Sequence, residues 1–397
     1  MSKPTLWTRD FIVVSALNFL VVLVFYLLVV VIGVYATSTL QASVSESGLT
    51  VGAFIVGALV GRILIGQFID KLGRKRCMFA GLFLAFLASL MYFLDNGITA
   101  FITIRFVHGI AIGIAATAIA TIVAHLVPIS RRGEGIGYFG VSTSLATAIG
   151  PLIGLWMMQF AGFSAILVFC SVIAVACCLV SLILAVPELE STRRDNLQPR
   201  FRVSGLLEKR VVPICIIMLL TGAYYSSVLS FLSSFALERD LSEAARFFFM
   251  VYATSILLTR PLAGRILDLH GSNIIMYPAF LLLAGGFACI GAAHSGYWLL
   301  AGAVLMGCGF GTIQTCIQTL AIQLVESDRI ALATSTFFIF VDAGLGFGPY
   351  LLGLIVPFIG YGDLYLSLAA VSILTMLVYQ LLHGRHEAKK NVEEVPL

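Results

Sequence analysis

The chain has 397 residues, 60% hydrophobic and only 11% charged, with a formal net charge of +4 and a mean hydropathy of +1.03. A soluble domain carries about 25% charged residues, so a water-soluble fold is excluded, and a charge this small is no nucleic-acid footprint. Apolar runs recur along the whole chain, each long enough to cross a hydrocarbon core roughly 30 Å thick.

Taken with the loops between them, these runs predict an all-α polytopic membrane protein of twelve transmembrane helices. The expected spans are 11–34, 49–69, 78–93, 98–126, 137–158, 163–186, 211–236, 246–266, 273–293, 297–324, 333–356 and 364–383. The first is too long for a signal-peptide core and no small-residue cleavage site follows it, so it reads as a retained span. Basic residues decide the orientation: with both ends cytoplasmic, Lys71, Arg74, Lys75, Arg76, Arg131, Arg132, Arg265, Arg329 and Arg385 all lie inside, and only Arg239 and Arg246 fall outside.

Span 1 carries Asn18 and Tyr26 at cavity depth. Span 2 runs into "RILIGQFIDKLG" (62–73). Gly66 removes a side chain where two helices approach closely, and Gly73 permits a tight turn. Asp70 ends the span and can accept hydrogen bonds from amides at a neighbouring helix start. Arg62 lies two turns inside the membrane and needs a protein partner or water, which suits a structural or gating role better than cargo contact.

Span 4 contains "RFVHGIAIG" (105–113). Arg105 and His108 are three apart and share one helix face, placing a buried cation beside a group that titrates near neutrality. Span 5 reads "GYFGVSTSLATAIGPLIG" (137–154), in which Gly137, Gly150, Pro151 and Gly154 predict a kinked, closely packed helix.

The polar stretch 187–210 reads as a cytoplasmic linker between residues 1–186 and 211–397. Span 7 offers Tyr224 and Ser227 on one face, and span 10 offers Gln314 and Gln318, as cavity-lining candidates. Span 8 ends in "RPLAGRILDLHG" (260–271), where Arg260, Gly264, Asp268 and Gly271 repeat the earlier pattern. Span 11 holds Asp342, a carboxylate deep in a span and hence a site hypothesis, either for the coupling proton or a cationic cargo or as the mate of Arg105 or another buried base.

The two Arg-x3-Gly-x3-Asp-x2-Gly patterns lie 198 residues apart. The same shift carries Gly109 and Gly113 onto Gly307 and Gly311, Arg131 onto Arg329, and Gly150-Pro151 onto Gly348-Pro349. One ungapped offset means two homologous halves of six spans, and an even count makes them parallel repeats, two six-helix bundles facing the same way.

Six plus six spans and the segment Gly66 to Arg76 resemble the major facilitator superfamily and its loop signature. The resemblance implies that Gly66, Asp70, Gly73 and Arg74, with Gly264, Asp268 and Gly271 as a weaker second copy, form a cytoplasmic latch. The second copy lacks the basic run, having His270-Gly-Ser-Asn273 instead. Span 4 is similar to the family's R-x-x-Q-G-x-G motif, with His108 in place of Gln and two extra residues before the last glycine, Gly113. Span 5 is similar to its antiporter signature, at four of six positions, which implies export.

The expectation is a secondary transporter that exports small, lipophilic molecules in exchange for protons, acting as a monomer in a cell membrane, most naturally a bacterial inner membrane. An exporter of one metabolite, such as a sugar or a metal-chelating product, and a proton-coupled importer are the alternatives. A receptor on a transporter scaffold is more distant. No nucleophile and base pair, phosphate loop or metal spacing is present, so no enzyme, cofactor or metal site is expected. The eight cysteines fall in spans or at their edges with no C-x2-C pair.

Overall fold

A computed structural model describes residues 5–42, 44–94, 97–186, 206–385 and 387. The linker expected at 187–210 therefore lies outside the described residues except for 206–210. Thirteen helices follow in chain order: α1 Arg9–Ser38, α2 Val44–Gly66, α3 Ile69–Leu72, α4 Arg74–Met91, α5 Gly97–Leu126, α6 Arg132–Phe160, α7 Gly162–Ile183, α8 Val212–Glu238, α9 Ser242–His270, α10 Asn273–Gly291, α11 Gly296–Gln323, α12 Ile330–Gly353 and α13 Val356–Tyr379. Among the described residues eleven helical segments are long and apolar enough to cross a membrane. The remaining expected span, 78–93, falls in α4, an 18-residue helix that opens on three charged residues, Arg-Lys-Arg.

Local chemistry sets the helix ends. Thr8 caps α1 by accepting from the Phe11 amide at 3.2 Å, with Asp10 in the first turn. Gly73 (φ +94°) and Gly271 (φ +81°) turn the chain between α3 and α4 and between α9 and α10. A side chain at either would be strained, so the two motif glycines do one backbone job at equivalent places.

The chain divides into two compact units that do not follow the two halves of the sequence. The first holds Met1–Pro128, Leu145–Glu208 and Glu326–Ile339; the second holds Ile129–Ser144, Lys209–Val325 and Phe340–Leu397. Each unit thus takes the opening turns of one long helix from the other half, α12 in the first unit and α6 in the second.

Within the first unit α5 is the core helix, with an unbroken buried run from Thr117 to Ala124. It crosses α2 at van der Waals distance because both present glycine. A Cβ at Gly57 or Gly61 would overlap the α5 backbone, and one at Gly109 or Gly113 would overlap the α2 backbone at Phe54 and Ala58. In the second unit α11 takes this place: Gly307 and Gly311 pack on Tyr252 and Ile256 of α9. Residues 252 and 256 stand 198 after 54 and 58, so the sequence repeat is also a repeat of contacts.

Each unit also ties α4 or α10 to the last helix of its half. The Lys75 ammonium donates to the Leu182 and Leu184 carbonyls at the end of α7, both at 2.7 Å. Asn273, 198 residues on, donates to the Gly384 carbonyl at 2.9 Å beyond α13. The basic run missing from the second copy is replaced by a neutral cap, and Glu387 accepts there from the amides of Ser272 (2.6 Å) and Asn273 (3.1 Å) at the start of α10.

Candidate functional site

Two helix joints and one buried charge cluster collect most of the sequence candidates. The first joint, in the first unit, sets the end of α2 against the start of α12. A Cβ on Gly66 would meet the Ser335 side chain, and the Ser335 hydroxyl donates to the Arg62 carbonyl at 2.8 Å. The Arg62 guanidinium lies over the Phe338 ring, 4.4 Å from its centroid, a cation–π contact that offsets part of its desolvation. Asp70 accepts from Arg74 at 2.8 Å, one helical turn on. Burial pushes the Asp70 carboxyl up, against the pull of the Arg74 guanidinium.

The second joint, in the second unit, sets α9 against the start of α6 and is closer. A Cβ on Gly264 would fall on the Gly133 carbonyl, and one on Gly137 on the Arg260 carbonyl. Asp268 accepts from the Gly133 amide at 2.7 Å and the Glu134 amide at 2.9 Å. Its charge sits on the exposed donors of a helix start, where a carboxylate is favoured. Arg260 donates to the Gly140 carbonyl at 2.6 Å and to the Gln314 side chain.

The joints are equivalent under the shift of 198, which carries Gly137 onto Ser335 and Gly140 onto Phe338. They differ in chemistry. One is closed by a hydroxyl and an aromatic ring, the other by bare backbone and a carboxylate on two amides. Asp268, the copy without the basic run, makes the amide contacts expected from Asp70, whereas Asp70 pairs along its own chain. Asp268→Asn keeps the volume but turns an amide group toward a donor. Two charge-assisted bonds worth about 1.5–3 kcal/mol each are weakened, and we expect turnover to fall about tenfold with expression unchanged, as read by transport per folded protein.

The third group lies in the first unit between α2, α4 and α5. Arg105 is fully buried. Its Nε donates to the Thr50 carbonyl at 3.0 Å, and its guanidinium covers the Phe54 ring at 4.4 Å. His108 is 3% exposed, with Nδ1 3.3 Å from the Tyr92 hydroxyl and its ring edge-on to Phe54. Tyr92 lies beside Arg105 as well, so one tyrosine joins the two candidates of span 4.

Other candidates scatter. Gly150 and Gly154 pack on α1 at Tyr26 and Leu27 in the first unit, so α6 uses separate sets of glycines for the two units. Pro151 follows in the same helix and cannot donate to the carbonyl four residues earlier. Asn18 is buried on α1, and Tyr26 is half-buried there. Tyr224 and Ser227 of α8 face the interior of the second unit: Tyr224 packs edge-on to Phe287 of α10, and the Ser227 carbonyl accepts from Tyr365 of α13 at 3.3 Å. Gln314 is the partner of Arg260 rather than a bystander, while Gln318 is buried one turn on. Asp342 is half-buried in the part of α12 that belongs to the second unit.

Sequence reasoning missed Gly133, Gly140, Ser335, Phe338 and Tyr92. The Gly133, Gly137, Gly140 spacing on one helix was a readable sign of a close crossing. Nothing local marks Tyr92, which acts from the far end of α4.

An all-helical bundle with long apolar helices and buried arginines is the architecture of a multi-pass membrane transporter. The sequence profile described as Major Facilitator Superfamily matches residues 14–344 and 243–396, and the chain belongs to that family. It is similar to an uncharacterized MFS-type transporter of Methanocaldococcus jannaschii, with 22% identity over 88% of this chain and 91% of the relative. Multidrug resistance protein 2 of Bacillus subtilis is 25% identical over 43% of this chain and 42% of its own length. Among solved structures, the human organic anion transporter MFSD10 (TETRAN) superposes with a TM-score of 0.81 at 17% identity, covering 95% of this chain and all of that one. The chain is a transporter of small molecules and not an enzyme.

Proposed function

We propose that this protein exports small, mainly lipophilic molecules in exchange for protons, by alternating access of two six-helix halves, residues 1–186 and 211–397. In this reading both termini lie in the cytoplasm, which the distribution of Lys and Arg supports, and the protein works as a monomer in a cell membrane. The observation that carries this reading is the Arg105, His108 and Tyr92 cluster inside an apolar bundle. Buried ionisable groups cost several kcal/mol in a membrane protein, and a proton pathway gives them a use. The glycine and proline pattern of α6 and the multidrug relative support export.

In this reading the two joints, carrying Gly66, Asp70, Gly73 and Arg74 and Gly264, Asp268 and Gly271, latch the cytoplasmic side and release in turn. Arg62 and Arg260 brace them, and Asp342 and the span 4 cluster each serve proton coupling within their own unit. The candidates for cargo contact are Asn18 and Tyr26 in the first unit and Gln318 in the second, and the many aromatic residues suit apolar compounds better than sugars.

Inside-out vesicles with an acidic lumen test this. A lipophilic dye or drug should accumulate in them only while the pH gradient stands, and gradient collapse should release it. Accumulation that ignores the gradient removes proton exchange, and accumulation under the opposite gradient makes the protein an importer.

A further inference from the structure

His125 closes α5 at the same end of the first unit as Asp70. Its imidazole stands between two carbonyl oxygens: Nδ1 is 2.8 Å from the Thr121 carbonyl one turn back, and Nε2 is 3.1 Å from the carbonyl of Ser327. Ser327 begins the short turn Ser327–Arg329 that leads directly into α12. The ring thus links the core helix of the unit to the segment that builds the first joint.

Two acceptors face one ring. A neutral imidazole carries a single N–H and donates to one of them, leaving the other nitrogen lone pair against a carbonyl oxygen. Only the imidazolium donates to both. The shorter contact is made within α5 and is kept in either form, so the proton added or lost is the one on Nε2 that holds Ser327.

Burial opposes the cation most strongly and Arg74 on α4 adds to it, while the Thr121 and Ser327 carbonyls and Asp70 on α3 favour it; Asp70 and Arg74 are paired with each other at 2.8 Å. Asp328, in the same turn as Ser327, acts on Asp70 from the far side. Arg329 of that turn pairs with Glu208 at 2.6 Å. The two ions nearest the ring are thus largely matched, and what the cation gains when the joint closes is the Ser327 carbonyl.

We propose that His125 is a proton-operated fastener of the first joint: protonated, it binds the Ser327 carbonyl and holds the start of α12 against α2 and α5; neutral, it lets that turn go. Proton uptake and joint closure favour each other, so closure is complete at low pH and is lost as pH rises. At the second joint the shift of 198 puts Gln323 in the place of His125, and there the carboxylate of Asp268 rests on two backbone amides. One joint of the repeat carries this imidazole and its counterpart does not. This holds whatever cargo the protein carries and in whichever direction.

Distances between spin labels at positions 72 and 326, measured by double electron–electron resonance in nanodiscs, test the proposal without cargo or gradient. From about pH 8 to about pH 5.5 the closed population of the wild type should rise about tenfold, the worth of one charge-assisted hydrogen bond. His125→Gln should show no such rise. His125→Arg, a permanent donor, should stay closed at both pH values. A wild type that does not respond, or either variant responding as the wild type does, overturns the proposal.

Discussion

Gly264→Ala is expected to cut transport at least about tenfold, and Gly66→Ala about threefold or less, although the two glycines hold the same place in the repeat. The difference lies in what the new methyl group meets. At Gly264 it falls on the Gly133 carbonyl and the Glu134 amide, which are backbone atoms of a helix and cannot step aside. At Gly66 it meets the Ser335 hydroxyl and Cβ; the hydroxyl can turn and give up one hydrogen bond, so only the Cβ contact is left for the helices to relieve by a small shift. Overpacking of a fixed contact costs about 1–3 kcal/mol, and about 1.4 kcal/mol is a factor of ten. Separation of α6 and α9 would also pull the Gly133 and Glu134 amides from Asp268, so the loss should not add to that of Asp268→Asn. Transport per molecule for both single variants and the double variant decides this, and equal effects at Gly66 and Gly264 would refute the asymmetry.

Arg105→Leu should separate function from stability. Replacing a buried ion by an apolar side chain of similar volume is often neutral or stabilising, by about 1–4 kcal/mol, because desolvation of the charge is avoided. Arg105 is fully buried, its Nε held by one carbonyl and its face by Phe54, so the leucine variant should melt at or above the wild-type temperature in detergent. Transport driven by a pH gradient should nonetheless fall about a hundredfold, the scale of disabling a positioned proton-transfer group, because His108 loses the fixed positive charge beside it. A variant that melts well below the wild type and transports in proportion to its folded fraction would make Arg105 structural. Arg105→Lys should not restore transport, since an ammonium cannot reach both Thr50 and the face of Phe54 in one geometry.

The helices were legible because each is an apolar run bounded by polar loops, and the repeat because single glycines survive at a fixed offset. Gly73 and Gly271 stand out in the sequence for a related reason: both have a positive φ, which leaves a residue-type signature. The partners were less legible. A polar side chain in mid-span announces its depth but not its direction, so Tyr224 and Ser227 suggested a cavity and instead face the packing between α8, α10 and α13. Gln314 looked like a site residue and serves Arg260. The contrast between Asp70 and Asp268 was hidden altogether, because it depends on which helix start comes within reach, and the basic run beside Asp70 drew attention to the wrong copy.

The same limit explains the division into units. Spans were counted as whole objects, yet α6 and α12 each change company partway along, between Ser144 and Leu145 and between Ile339 and Phe340. Pro151 lies six residues after Leu145, and Pro349 nine after Phe340. A proline leaves one carbonyl without its helical donor and weakens the rod there, so a helix that must serve two partners gains a place to flex.

Whether the joints open in turn is answered most directly at the second one. Spin labels at positions 132 and 269, read in nanodiscs with and without cargo and across pH, should give two distances whose proportions shift with conditions. Gly264→Ala should remove the shorter one. A single distance that no condition or variant changes would contradict the account.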